Sequence, residues 1–337
     1  MATTAASLPN RTFGTRLRRG SQPYLYLVPA FVVMGIITFY PLLFQVWMSF
    51  HDFTLENFRV RNPVPAEFIG FDNYVRIATS KLQIPNFEFL RLVFFNLWWA
   101  FSNVVVHVVI GVLVAVVLNT PGLMFKRVYR ALFILPVVIP SIIVAAVWRN
   151  MFDSDAGAVN LGLQALGGLI GISPDNPAFH VQWLRQVADP ISFIPLPLAY
   201  YAMLTANSWL GWPLNSVVAT GALQSIPGEL YEAAEMDGAT SWQKFRNVTI
   251  PFLRPAMLPY AIYGFVITFN LFFLPYFMTA GEPFGRTEIL VTQAYRLAND
   301  RQLFGVAAAF CVYLFFLLLV VTLITNRLAK ATKSYAE

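Results

Sequence analysis

Long apolar runs free of Asp, Glu, Lys and Arg constrain this chain more than any other feature. Six are readable, at about 25–50, 92–118, 131–147, 198–223, 257–278 and 304–325. Crossing the hydrocarbon core of a bilayer takes roughly 20 apolar residues in a helix. In lipid, backbone N–H and C=O groups must be paired within the chain, so a spanning segment of this kind is helical. With 57% hydrophobic and 12% charged residues, most of the 337-residue chain is too apolar for a water-soluble domain. The expected fold is an all-α integral membrane protein of six transmembrane helices. It forms a single membrane domain at 21–330, between a basic tail at 1–20 and a short tail at 331–337. The third stretch is short and the fourth is broken by Pro213, so both rest partly on their neighbours.

Charge orients the spans, because Lys and Arg beside a span resist translocation. With an even span number, both termini share one side with the segments after the second and fourth spans. Those segments hold thirteen of the 23 Lys and Arg but five of the 17 Asp and Glu, so they are expected to face the cytoplasm. This topology accounts for the net charge of +6 without any nucleic-acid partner. Cys311 is the only cysteine and lies in the last stretch, which excludes an intrachain disulfide. The first stretch is about twice a signal-peptide core and lacks a small-residue cleavage site, so it is expected to stay as an anchor.

Several function classes lose ground on the residues alone. The chain has no phosphate-binding loop of the Gly-x-x-x-x-Gly-Lys-Ser/Thr type, so it binds no ATP by that route. Its three His residues, His51, His107 and His180, are far apart in sequence, and no cluster suited to metal or acid–base chemistry stands out. A secondary transporter coupled to an ion gradient would need intramembrane acids, and the six stretches hold no Asp or Glu. His107 in the second span suits helix packing better than proton coupling, since no acidic partner accompanies it.

The most informative segment follows the fourth span, at 224–254. Pro227 suits a first helical turn, Glu229 and Glu232 face the positive end of a helix dipole, and Gly238 suits a helix stop. Thr240 and Gln243 form a capping box for a second short helix, expected to run to about Val248 before Pro251 opens the fifth span. Two helices turning at Asp237 and Gly238 would make a rigid knob, with Tyr231, Trp242 and Phe245 as apolar anchors. The same residues also suit a solvated polar connector.

A resemblance decides between these readings. Glu232-Ala233-Ala234, Asp237-Gly238-Ala239, Phe245, Ile250-Pro251 and Pro255 resemble the signature loop of binding-protein-dependent ABC importer permeases. Phe68–Tyr74, Leu135-Pro136 with Pro140, Trp209-Leu210-Gly211 with Pro213, and Phe269-Asn270 leading to Thr279, Gly281 and Pro283 are similar to the sugar-importing, maltose-type branch. Within that branch the chain most resembles the larger permease subunit. The resemblance implies a type I importer permease of a bacterial or archaeal cytoplasmic membrane, with Glu232, Ala233, Ala234, Asp237, Gly238, Ala239, Phe245 and Pro251 coupling to an ATPase. It further implies two ATPase copies that carry ATP and Mg, a second related permease subunit and an extracytoplasmic solute-binding protein. No cofactor is expected on this chain.

Carried over by position, the maltose-type pathway falls at Asn207, Leu210, Gly211, Leu214, Gly264, Ile267, Thr268 and Leu271, with Asn270 as a further polar candidate. Only Asn207, Leu210 and Gly211 keep the expected residue. Either the substrate differs from maltose, or selection has moved to the binding protein. A polyol or glycerol phosphate shares much of the pattern, although these positions carry no Arg or Lys. Polar groups at such depth also serve interhelical hydrogen bonding.

Overall fold

The structure, a computed structural model, describes residues 24, 26–59, 64–191 and 193–329; the tails expected at 1–20 and 331–337 lie outside them. Helix dominates the described residues, and their β pairing is an isolated antiparallel bridge between His51 and Phe68. Four helical segments are long and apolar enough to cross a membrane. They are α1 (Tyr26–Met48), α3 (Phe89–Asn119), the segment Ser241–Met278 and α13 (Phe304–Ala329). The short helix α2 (Asp72–Ala78) lies between α1 and α3.

Two expectations need correction. The stretch at 131–147 is not one helix: α4 (Lys126–Val138) and α5 (Ser141–Met151) meet at 95°. The cause is local, because Pro140 has no N–H to donate and forces the preceding Ile139 into an extended conformation, with φ −80° and ψ 127°. Pro213, by contrast, does not break the fourth stretch, and α7 runs without interruption from Leu198 to Gln224. Its neighbours support it: α7 packs chiefly on α3 and also touches α4, α5 and the fifth span. It is less apolar than the other long helices because it is rich in Ala, Asn, Ser and Thr.

Those small and polar residues form the central seam of the bundle. Tyr200 donates its hydroxyl to Ser102 at 2.7 Å, and the Asn207 amide donates to Asn103 Oδ1 at 2.7 Å. His107 Nε2 lies 2.9 Å from the Asn207 carbonyl oxygen. Further along, Gly111 faces Asn215, and Ala115 and Ala219 share one buried cluster. The paired positions rise together on both helices, so α3 and α7 run parallel. Parallel neighbours require the chain to return between them, and α4 with α5 makes that return: Phe133 stacks edge-on against Trp212, while Arg149 reaches the Phe277 carbonyl. His107 thus serves packing, as its sequence context suggested.

The fifth expected span is also compound. It contains α9 (Ser241–Lys244), a π-helical turn at Phe245–Thr249, α10 (Ile250–Phe269) and α11 (Phe273–Met278). The break falls at residues 270–272, ahead of Pro275. Asn96 of α3 repairs it: its amide donates to the Phe269 carbonyl at 3.2 Å. The same side chain accepts from the Leu290 N–H at 2.7 Å. One buried amide therefore caps the end of α10 and the start of α12 (Leu290–Asn299).

The segments expected on the outer side do gather at one end of the bundle. Asn73 donates to the carbonyls of Ser49 and His51, and Gly305 N–H donates to Phe53. Arg286 pairs with Asp189 at 2.7 Å and also donates to the carbonyls of Val187 and Pro195. The helix α6 (Ala158–Leu169) belongs to the same loop-rich end.

Gly111 tests the seam. A Cβ there would stand 2.5 Å from Asn215 Cβ and 2.9 Å from backbone atoms of Asn215 and Ser216. Backbone cannot swing aside as a side chain does, so Gly111→Ala should destabilise the bundle by roughly 1–3 kcal/mol. The check is a lowered thermal unfolding midpoint of the purified protein in detergent, with Gly162→Ala, which meets open space, unchanged.

Candidate functional site

The loop resembling the permease signature is built around α8 (Gly228–Met236). Pro227 sits just before this helix with an extended ψ of 132°, and Gly228 opens it. Glu229 lies in the first turn, where the helix dipole favours an acid. At the other end Gly238 N–H donates to Glu235 and Ala239 N–H to Ala234, both at 2.9 Å. This pair of bonds, with Gly238 at φ +75°, is a Schellman stop, and the left-handed conformation is why glycine stands there.

The Thr240–Gln243 capping box is present, with Gln243 N–H donating to Thr240 Oγ1 at 3.3 Å and Thr240 N–H to Gln243 Oε1 at 2.7 Å. The second knob helix needs correction. It does not end near Val248 as a separate unit; after one turn it continues through Phe245–Thr249 into α10. Pro251 lies in the first turn of α10, where its missing N–H leaves a five-residue π turn in place of a gap.

Two side-chain links tie α8 to this continuous helix. Tyr231 and Thr249 share a hydroxyl hydrogen bond of 2.9 Å, and Lys244 forms an ion pair with Glu235 that holds the exposed carboxyl below its ordinary range. Tyr231 and Val248 also pack on the cluster of Ala115, Ala219, Leu223, Ile226, Leu253 and Met257. Sequence reading missed both links, since neither residue pair has a diagnostic spacing.

Glu232, Ala233, Asp237, Gly238 and Pro251 are exposed, whereas Ala234, Ala239 and Phe245 are half-buried. Of the large apolar side chains in the loop, Met236 and Trp242 are the most exposed, at 90% and 66%, and the Trp242 ring lies 5.5 Å from that of Phe245. The result is a stiff projection with an acidic helix and an apolar tip.

The pathway candidates divide into three groups by burial. Asn207 and Thr268 are buried, and Asn207 is occupied by Asn103 and His107. Leu210, Gly211, Gly264 and Leu271 are half-buried, and a side chain at Gly211 would strike the His107 ring. Leu214, Ile267 and Asn270 are exposed. These nine residues therefore do not converge on one enclosed pocket within this chain.

The family described as binding-protein-dependent transport system inner membrane component matches residues 107–334. The maltodextrin transport system permease protein MalC of Streptococcus pneumoniae is 30% identical over 283 residues, which cover 82% of this chain. The chain spans only 62% of that relative's length. The trehalose/maltose transport system permease protein MalF of Thermococcus litoralis is 28% identical, covering 94% of this chain and 96% of the relative. Among solved structures, a bacterial ABC transporter involved in import of the acidic polysaccharide alginate has a chain that superposes with a TM-score of 0.68. Its identity is 20%, and the match covers 96% of this chain and all of that one.

The bundle is that of a multi-pass helical membrane protein. The chain belongs to the binding-protein-dependent transport system inner membrane component family.

The stop at Gly238 is directly testable. A non-glycine residue held at this φ costs about 1–2 kcal/mol. Gly238→Ala should therefore loosen α8, read as faster proteolysis or hydrogen exchange over 228–240, with exchange in α3 and α7 unchanged.

Proposed function

We propose that this chain is the permease subunit forming half of the translocation pathway of an ATP-driven sugar importer, coupled to its ATPase through Glu232–Pro251. The observation that carries this reading is the mechanical continuity of the signature loop. α8 stands exposed, yet Tyr231–Thr249 and Glu235–Lys244 fasten it to a helix that continues into the fifth span. A push on α8 is thereby delivered to α10 as a lever movement, without a flexible joint to absorb it.

In this reading the chain passes the membrane six times, with α4 and α5 as one bent pass, and both termini lie in the cytoplasm. The parallel course of α3 and α7 supports that count, because it needs a return crossing. The loop-rich end faces outward and receives an extracytoplasmic solute-binding protein. Two ATPase copies, supplying ATP and Mg chemistry, engage the projection.

A second, related permease subunit completes the pathway. The exposed Asn270 favours this arrangement, since a polar side chain open at membrane depth is best met by a protein partner or a cavity opposite. The substrate class rests on relatives named for maltodextrin, for trehalose and maltose, and, in Bacillus subtilis, for galactooligosaccharides.

Reconstitution of the chain with its permease partner, ATPase and binding protein in liposomes tests the reading. Sugar uptake should require ATP and the binding protein. Gly238→Pro, which cannot adopt φ +75° and removes the N–H donated to Glu235, should abolish uptake and stimulated ATP hydrolysis while membrane insertion persists. Normal uptake by that variant would refute the coupling role.

A further inference from the structure

A polar cleft of about 460 Å³ opens at the loop-rich end, between the end of α5, residues 182–185 and residues 278–282. Its volume lies in the range of small-molecule sites. One wall is aromatic: the rings of Trp183 and Phe152 lie 5.4 Å apart. The indole is fixed in place, because Trp183 Nε1 donates to Asn160 Oδ1 at 2.7 Å. Asn160 is buried and itself donates to the carbonyls of Ser154 and Val181 at 2.8 and 3.0 Å. One buried amide thus ties the Trp183 ring to the backbone on both sides of it, at Ser154 and Val181, while the ring also lines the cleft.

Around this plate stand Arg149, Arg185, Asp153, Asp155 and Glu282, all exposed side chains. Two cations and three anions nearly cancel, so the cleft does not attract one sign of charge. It does offer planar, charged hydrogen-bonding groups on several sides of an aromatic face. A sugar ring has the complementary surface, an apolar C–H face rimmed by hydroxyls that both donate and accept. With cations and anions on the same rim, the cleft suits a solute without net charge.

We propose that this cleft is a saccharide-binding vestibule, in which Trp183 stacks on an uncharged sugar and Arg185 and Asp155 hold its hydroxyls before the sugar enters the bundle. The site rests on the sugar-import reading above and adds to it a receiving contact on this chain, remote from the nine pathway candidates.

The complete reconstituted importer, with radiolabelled maltose, trehalose and a galactooligosaccharide, provides the test. Asp155→Asn and Arg185→Gln change exposed groups and leave the fold intact, and Trp183→Ala removes the stacking face. At saturating sugar-loaded binding protein, each variant should import roughly ten-fold more slowly, the loss of about one charge-assisted contact. ATP hydrolysis stimulated by the binding protein should stay at the wild-type rate. Uptake unchanged in all three variants overturns the vestibule. So does a parallel loss of stimulated hydrolysis, which would make the cleft a docking surface for the binding protein. A wild-type complex that moves none of the three sugars overturns the sugar reading itself, and this site with it.

Discussion

The rest of the structure depends on the seam between α3 and α7, where polar side chains pair inside an apolar bundle. Lipid offers helices no hydrophobic reason to associate, so close packing of small residues and interhelical hydrogen bonds must do so. Asn103, His107 and Asn207 supply the bonds, and Gly111, Ala115 and Ala219 allow the backbones to approach. Because this seam is parallel, the chain must return between the two helices, and α4 with α5 makes that return.

Asn96 extends the same logic to the fifth span. A helix interrupted at membrane depth exposes carbonyl groups that water cannot reach. The Asn96 amide satisfies the interrupted end of α10 and the start of α12 together, so the break costs little and the two helices are held at one point on α3. At the opposite end the chain is built for stiffness. The π turn at Phe245–Thr249 keeps α9 continuous with α10, and the links from α8 remove the freedom that a connector of this length would otherwise have. A seam that is fixed and a projection that is stiff give a bundle whose ends can be moved as units.

Much of the site's local chemistry was legible in sequence. The Thr240–Gln243 box and the stop at Gly238 follow from residue type and spacing, and both are present. The boundary after Phe245 was not legible, since Pro251 signals a helix start whether or not another helix precedes it. Pro213 and Pro140 make the same point from opposite sides. Each removes one N–H, yet α7 is packed on several sides and stays one helix, whereas the chain at Ile139 and Pro140 turns through 95°. Asn207 was placed in the pathway by its position in the resemblance, and residue type alone says nothing about which neighbour takes up its amide, which here is Asn103.

By itself the sequence determined that this chain is helical and membrane-embedded, where its long apolar runs lie, and where its loop stops and caps fall. These are consequences of local composition and of backbone chemistry within a few residues. Only the tertiary structure decided that α3 and α7 run parallel, that Asn96, Asn207 and His107 serve as helix-to-helix ties, and that Trp183 is held as a plate beside charged groups. Those outcomes join residues some 20 to 190 positions apart. The sequence pattern of an isolated segment carries no record of which distant partner will satisfy its polar atoms.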